Sequence, residues 1–296
     1  MIVNAPDVAL VFEGGGMRAS FSSGVLSALV EGGVFAGWVG GISAGSSCTA
    51  NYLVRDLVRT RRSFVEFAAD PNFGGFGSWL RGRGLFNAEY IYERTAAPDQ
   101  PLPYDFEAFT SNPTAFAIGA VRCADGEMVY WQRDDVRGLP DLMKRVRASS
   151  TMPLLMPWAE VDGEFYCDGA LGPTGGFAHD AARAAGFRRF IVVATRPRGY
   201  VKGPQRAPRA MRALLRRFPA VADGLLARSA NYNRSREELL ALETAGAALL
   251  IFPDRMPIDN SERDVTRLAE MFDLGLAQGR RELARVREFA GLQASA

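Results

Sequence analysis

Ser43 stands between Gly41 and Gly45 in a G-x-S-x-G pattern, behind a short apolar run that begins at Trp38 and ahead of a stretch of small, helix-compatible residues. A strand, a sharp turn and a helix satisfy that order. The small flanking residues leave room for a strained turn that exposes a serine hydroxyl. A helix starting just after Ser43 also aims its first N–H groups toward developing negative charge. A plainer reading is a tight turn whose serine caps the next helix. With 31 glycines in 296 residues, the pattern alone does not choose between them.

Two other segments favour chemistry. The run Glu13-Gly14-Gly15-Gly16-Met17-Arg18-Ala19 follows the apolar residues 8–12 directly. Three glycines between a buried strand and a helix turn sharply and present unobstructed amides to an anion. A nucleotide phosphate is a poor fit, because the run is neither G-x-x-x-x-G-K-[ST] nor G-x-G-x-x-G. The second segment is Asp168-Gly169-Ala170, at the end of a short strand reading Glu164-Phe165-Tyr166-Cys167. There a loop can bring a carboxylate into a cleft, although an Asx turn is the commoner role of such an aspartate.

Taken together, the three segments resemble the patatin-like phospholipase family of acyl hydrolases, in its bacterial branch. The resemblance implies an α/β fold of three layers, with a mainly parallel central sheet flanked by helices. It also implies Ser43 as nucleophile, Asp168 as its partner in a Ser-Asp dyad, and Gly14, Gly15, Gly16 and Met17 as the oxyanion loop. Arg18 becomes a candidate for substrate binding. One departure bears on substrate choice: the family's loop more often has glycine after the arginine, where this chain has Ala19.

In chain order, residues 8–12 read as a buried parallel strand and residues 25–30 as a helical apolar face ended by Gly32-Gly33. Residues 38–42 return as the next strand, which puts the glycine loop and Ser43 at one carboxyl edge of the sheet. One helix is expected over 44–62. Residues 70–86 mix glycine with large apolar side chains, and two readings stand. They form a movable cover or acyl-binding wall using Phe73, Phe76 and Trp79, or an ordered loop that seals the core.

Residues 114–121 and 127–132 read as a hairpin around Asp125-Gly126, and 139–148 as a basic helix. The hydroxyls of Ser149, Ser150 and Thr151 either orient a substrate, support the aspartate loop or merely belong to a turn, so none is assigned a catalytic part. Residues 178–185 are expected as a helix, 190–194 and 247–252 as sheet strands, and 262–274 and 280–289 as two closing helices. Residues 1–200 then form the catalytic core, and 201–296 a mostly helical extension packed on the same domain.

His179 is the only histidine. That rules out His-rich metal sites, and a Ser-His-Asp triad would need it to reach Ser43; a surface or capping role is plainer. Three widely spaced cysteines do not make a disulfide framework. A net charge of +2 is too small to imply nucleic acid. No apolar run nears the ~20 residues of a membrane span, and no secretory leader is evident, so a cytoplasmic protein is expected. Peripheral contact at the inner membrane surface is compatible with the eight basic and no acidic residues of 196–217. A solvated basic surface explains them equally.

The resemblance thus implies hydrolysis of phospholipid or related acyl esters through an acyl-serine, with release of fatty acid and no metal or cofactor. A carboxylesterase or thioesterase with the same dyad, or a non-catalytic lipid-binding protein, are the alternatives. Oligomeric state is not legible.

Overall fold

The computed structural model of the chain describes residues 1–75, 78, 82 and 84–292. Strand β1 (Ala5–Phe12) leads through a short 3-10 turn into helix α1 (Ala19–Glu31), then strand β2 (Ala36–Ile42) and helices α2 (Ala44–Val54) and α3 (Leu57–Phe64). Helix α4 (Phe106–Ser111) precedes the hairpin of β3 (Ala115–Arg122) and β4 (Met128–Trp131), and α5 (Leu139–Ser150) follows it. Strands β5 (Ala159–Val161) and β6 (Glu164–Asp168), helix α6 (His179–Ala184) and strand β7 (Arg189–Val193) come next. The chain closes with α7 (Pro208–Leu214), α8 (Pro219–Thr244), β8 (Ala248–Ile251) and α9 (Val265–Phe289).

All the described strands belong to one sheet in the order β5-β6-β3-β2-β1-β7-β8, with β4 also on β3. The five strands from β3 to β8 in that order are parallel to their neighbours, and β4, β5 and β6 pair antiparallel. Alternating side chains explain why the parallel strands are apolar throughout. Val8, Leu10 and Phe12 enter the cluster packed by α1, α2, α5 and α9, whereas Ala9 and Val11 enter a second cluster with Ala182 of α6 and Tyr232 and Leu239 of α8. Ile191 and Val193 of β7 divide from Phe190 and Val192 in the same way. The result is the expected three-layer α/β arrangement, helices on both faces of a mainly parallel sheet.

Three local expectations are corrected. The helix expected over 44–62 is two helices, because Arg55 turns left-handed (φ 55°) and Asp56 then caps α3 by accepting the Arg59 N–H. Arg55 is held in that bend by stacking 3.5 Å over the Phe35 ring. The two closing helices are one, α9, running unbroken through Gly275 and Gly279. Finally, His179 is buried rather than superficial; its Nε2 lies 3.3 Å from Glu238.

Register brings the key segments together. Phe12 is opposite both Gly41 and Val193, so β1, β2 and β7 end level, and the glycine loop and Ser43 leave from the same edge. Strand β3 does the rest. Its residues Ala115–Gly119 pair with β2, and Ala120–Arg122 pair with β6. Since β4 overlaps both stretches, it must occupy the opposite edge, and β2 and β6 share one edge end to end. Ile42 pairs with Gly119, and Asp168 pairs with the next residue, Ala120, so the turns after β2 and β6 meet.

Candidate active site

At that junction the Ser43 hydroxyl donates to Asp168 Oδ2 at 2.7 Å. Ser43 has φ 57°, a left-handed conformation unfavourable for a non-glycine residue. Its flanking glycines show why the turn closes. A side chain at Gly41 would overlap the Gly45 carbonyl, and one at Gly45 would overlap the Phe12 carbonyl. Three hydrogen bonds hold the turn: the Ser43 N–H donates to Ser149 Oγ at 2.9 Å, and the Ser43 carbonyl accepts from the Ser46 N–H at 2.9 Å and the Ser46 hydroxyl at 2.6 Å.

Asp168 is equally fixed. Its Oδ1 accepts from the Ala170 N–H at 2.8 Å, and its own N–H donates to the Thr151 carbonyl at 2.8 Å. Burial raises the carboxyl above its ordinary range, opposed by the charge of Arg228, the Ala170 N–H and the Ser43 hydroxyl. A raised carboxyl is a stronger base when ionised, which an aspartate needs if it is to take a proton from serine.

The glycine loop abuts this pair; a Cβ on Gly14 would lie 3.0 Å from Ser43 Cβ. Its amides are not equivalent. Gly14 N–H donates to the Gly176 carbonyl at 3.0 Å and Met17 N–H to the Asn260 carbonyl at 3.1 Å, whereas Gly15 and Gly16 N–H have no acceptor among the described residues. Gly16 has φ 56°, and a side chain there would strike the Asn260 carbonyl. Glu13, just before the loop, ties it to two other elements, accepting from Thr195 N–H at 2.7 Å and the Tyr232 hydroxyl at 2.9 Å.

Ser43, Gly16 and Met17 line a cleft whose empty space, open solvent included, is about 870 Å³. Its walls are apolar: Ala44 and Ala50 from α2, Phe64 from α3, Met143 and Val146 from α5, with Phe67, Phe73, Phe86 and Leu102 between. Phe73 and Phe86 are buried and meet edge to face at 6.0 Å. Phe73 lines the cleft and also belongs to the main apolar core, so it fits both readings of residues 70–86; Phe76 and Trp79 lie outside the described residues. Tyr92 and Ser150 add polar groups to the lining.

Arg18 does not line the cleft. It is buried behind the loop, and burial together with the like charge of Arg196 lowers it to about 10. His179 is occupied with Glu238 and packs on Phe177. The sequence singled out Ser149 and Thr151 with three readings left open and no assigned part; Ser149 holds the Ser43 turn and the Thr151 carbonyl holds Asp168, whereas Asn260 carried no signal. No described helix is long and apolar enough to cross a membrane.

Residues 10–178 match the family described as patatin-like phospholipase, and residues 218–291 match a domain of unknown function, DUF6363. No curated protein sequence matches the chain. Among solved structures, VipD from Legionella pneumophila aligns over 94% of this chain with 11% identity and a TM-score of 0.46. This chain spans 66% of the length of that one.

Proposed function

Because the chain belongs to the patatin-like phospholipase family, we propose that it is a lipid acyl hydrolase in which Ser43 attacks the ester and Asp168 is its sole side-chain base. The observation that carries this reading is the 2.7 Å hydrogen bond to a buried carboxylate from Ser43, which lines an apolar cleft.

The acyl chain lies in the cleft and the ester carbonyl beside Ser43. As Oγ attacks the carbonyl carbon, its proton passes to Asp168 Oδ2. Negative charge gathers on the former carbonyl oxygen, where the N–H groups of Gly15 and Gly16 are the free donors, while Gly14 and Met17 shape the loop through their bonds to Gly176 and Asn260. Collapse breaks the ester C–O bond, and the leaving alcohol takes the proton from Asp168. Water then attacks the acyl-serine, giving a proton to Asp168 that returns to Ser43 as fatty acid leaves. The strained φ of Ser43 keeps the hydroxyl presented throughout.

Peripheral contact with anionic lipid is part of the proposal. Arg206, Arg209, Arg212 and Arg216 are exposed on and around α7, which also exposes Leu214; Arg212 pairs with Asp223 at 2.9 Å. Neutralising the four arginines is expected to weaken binding to phosphatidylglycerol vesicles.

The test of the main reading is fatty-acid release from phospholipid mixed micelles by wild-type protein, with folded Ser43→Ala protein as control. Release that vanishes in the variant supports serine-dependent phospholipid hydrolysis. Equal release by both proteins overturns the role of Ser43, and turnover confined to short neutral esters replaces phospholipase with carboxylesterase.

A further inference from the structure

Buried and half-buried arginines of this chain generally have partners. Arg145 pairs with Asp141 and Asp162, Arg147 with Glu93, and Arg236 donates to the carbonyls of Pro197 and Arg198. Arg145 and Arg147 also leave a buried Nε without a partner, but Arg18, Arg196 and Arg228 differ: beside a buried, unpartnered Nε, their guanidinium groups make no hydrogen bond or ion pair among the described residues. Lys202 joins them, its ammonium resting 4.8 Å over the Tyr232 ring rather than on a carboxylate.

The four converge beside the dyad. On α8, Gly224, Arg228, Asn231 and Tyr232 share one face by helical spacing. That face lies on the turn after Asp168: a Cβ on Gly224 would be 2.8 Å from the Leu171 carbonyl, Asn231 Nδ2 donates to the Gly172 carbonyl at 3.2 Å, and Gly175 is packed on the Tyr232 backbone. Tyr232 also reaches Glu13, immediately before the glycine loop and five residues from Arg18 in sequence. Arg196 stacks 4.6 Å over Tyr200, whose ring meets Tyr232 edge-on at 6.1 Å.

Their charges act on one another. Burial, then Arg228, Arg18 and Arg196, lower Lys202 to about 8. Three acids share the neighbourhood, and each is engaged elsewhere: Glu13 with Thr195 and Tyr232, Asp259 with Ser261, and Asp168 with Ser43 and Ala170. Gathering unpaired cations out of water opposes folding, and an oxyanion among them relieves that cost through charge-assisted hydrogen bonds. Arg18 is buried, whereas Arg196, Lys202 and Arg228 are half-exposed, so the cluster opens to solvent on one side.

We propose that Arg18, Arg196, Lys202 and Arg228 form a subsite for the phosphate of a phospholipid headgroup, next to the ester held at Ser43, and that α8 completes it. This gives the matched segment of unknown function a part in the chemistry, since residues 218–291 bring Arg228 and Tyr232 to a site whose reacting groups lie in residues 10–178. This inference rests on the reading of Ser43 as nucleophile, so its test is arranged to separate the two.

Binding is measured by calorimetry on the Ser43→Ala protein with dihexanoyl phosphatidylglycerol, with dihexanoylglycerol, which lacks the phosphate, and with inorganic phosphate. The expected result is an advantage of the phospholipid over the neutral lipid of about tenfold or more, the range of a charge-assisted contact set. Arg228→Gln and Lys202→Gln, each on the Ser43→Ala background and each checked for a native melting curve, are expected to reduce that advantage, and Arg228→Lys to retain most of it. No advantage, or one unmoved by either glutamine variant, overturns the proposal. Inorganic phosphate that binds as tightly as the phospholipid, while the phospholipid gains nothing over the neutral lipid, assigns the cluster to free phosphate and overturns the headgroup assignment. Wild-type turnover of p-nitrophenyl butyrate, compared with Ser43→Ala, reports on the nucleophile separately. Intact turnover without a phosphate advantage sinks only the subsite, and a phosphate advantage without turnover sinks only the hydrolase reading.

Discussion

Ser149 holds Ser43: its Oγ accepts the Ser43 N–H at 2.9 Å and donates its own proton to the Gly119 carbonyl at 2.6 Å. One buried hydroxyl thus fixes the strained turn to the middle of β3, across 106 residues of sequence. Ser149→Ala leaves a buried N–H and a buried carbonyl each short of a partner, at a cost of about 1–3 kcal/mol. Ser43 also becomes free to leave its left-handed conformation. The expected outcome is a lower melting temperature and a fall in kcat with little change in KM, because the cleft walls are untouched; Ser149→Thr is expected to restore most of the kcat. Steady-state kinetics at a temperature well below both melting points checks it, and an unchanged kcat in the alanine variant would remove Ser149 from the site.

Asp168 makes a prediction in two opposite directions. Burial raises its pKa in the folded protein above the roughly 3.9 of an unfolded aspartate. The folded state then binds the proton more tightly, so stability declines as pH rises from the unfolded value through the folded one, and the ionised carboxylate is a burden at neutral pH. Asparagine removes the charge and keeps both contacts, accepting from Ala170 and donating to Ser43. Asp168→Asn is therefore expected to lose turnover while melting no lower than wild type at neutral pH, with the difference shrinking toward acid. The acid limb of the wild-type kcat/KM profile is expected above the ordinary carboxylate range. A marked drop in melting temperature would show that Asp168 is a structural anchor instead.

Gly16 tests the oxyanion assignment. Its φ of 56° and its contact with the Asn260 carbonyl leave no room for a methyl group. Gly16→Ala must move the loop and with it one of the two free N–H donors. Losing a single such donor typically costs about 10²–10³ in kcat. The expected loss is of that order, measured on a soluble ester so that lipid packing does not enter, and with Ser43 still reactive toward a small organophosphonate at a reduced rate. Near-normal turnover would move the oxyanion donors elsewhere, to the free end of α2.

How far these contacts were legible follows from their range. Ser43, Asp168 and the glycine loop announce themselves because each is a local strand-to-turn pattern. The register that joins them depends on β3 pairing with β2 along one half and β6 along the other, which no local pattern encodes. Ser149 and Asn260 act over long sequence separations through a hydroxyl and a backbone carbonyl, so their residue types carry no signature. The division between α2 and α3 was invisible because arginine rarely turns left-handed, and here the Phe35 ring holds it there. The break expected between 274 and 280 is absent because Gly275 and Gly279 lie inside α9 as its contact points with α1.

The cleft predicts chain-length selectivity. Ala50 lines it from α2, two turns beyond Ser43, and is buried. Ala50→Phe fills the space that a long acyl chain would occupy, with overpacking that costs about 1–3 kcal/mol of stability. The ratio of kcat/KM for a sixteen-carbon p-nitrophenyl ester to that for the four-carbon ester is expected to fall at least tenfold, equivalent to about 1.4 kcal/mol of lost transition-state binding. Using the ratio cancels any general effect of the substitution on folding or on Ser43. A ratio that does not move would place the acyl chain outside this cleft.

Helices α1 and α9 cross at their backbones, and the last prediction concerns what that crossing does for the site. A side chain at Gly24 would overlap the Phe272 carbonyl, one at Gly275 would overlap the Phe21 carbonyl, and a Cβ at Gly279 would lie 2.6 Å from Ala28 Cβ. The segment leading into α9 carries Asn260, whose carbonyl takes the Met17 N–H, and Arg263, which donates to the carbonyls of Ala68 and Gly74. Seating α9 on α1 therefore also seats the glycine loop and the 68–74 wall. Gly275→Leu cannot be accommodated without separating the helices, so its cost should exceed the few kcal/mol of ordinary overpacking. Gly275→Ala should be milder in degree and the same in kind. Both variants are expected to melt lower than wild type and, when assayed well below their melting points, to lose kcat in proportion, since the Met17–Asn260 bond loosens before the sheet does. Amide exchange at Met17 gives the direct reading: faster exchange there than in β1 supports the coupling, and loss of stability with unchanged exchange and kcat would mean that the glycine loop keeps its shape without α9.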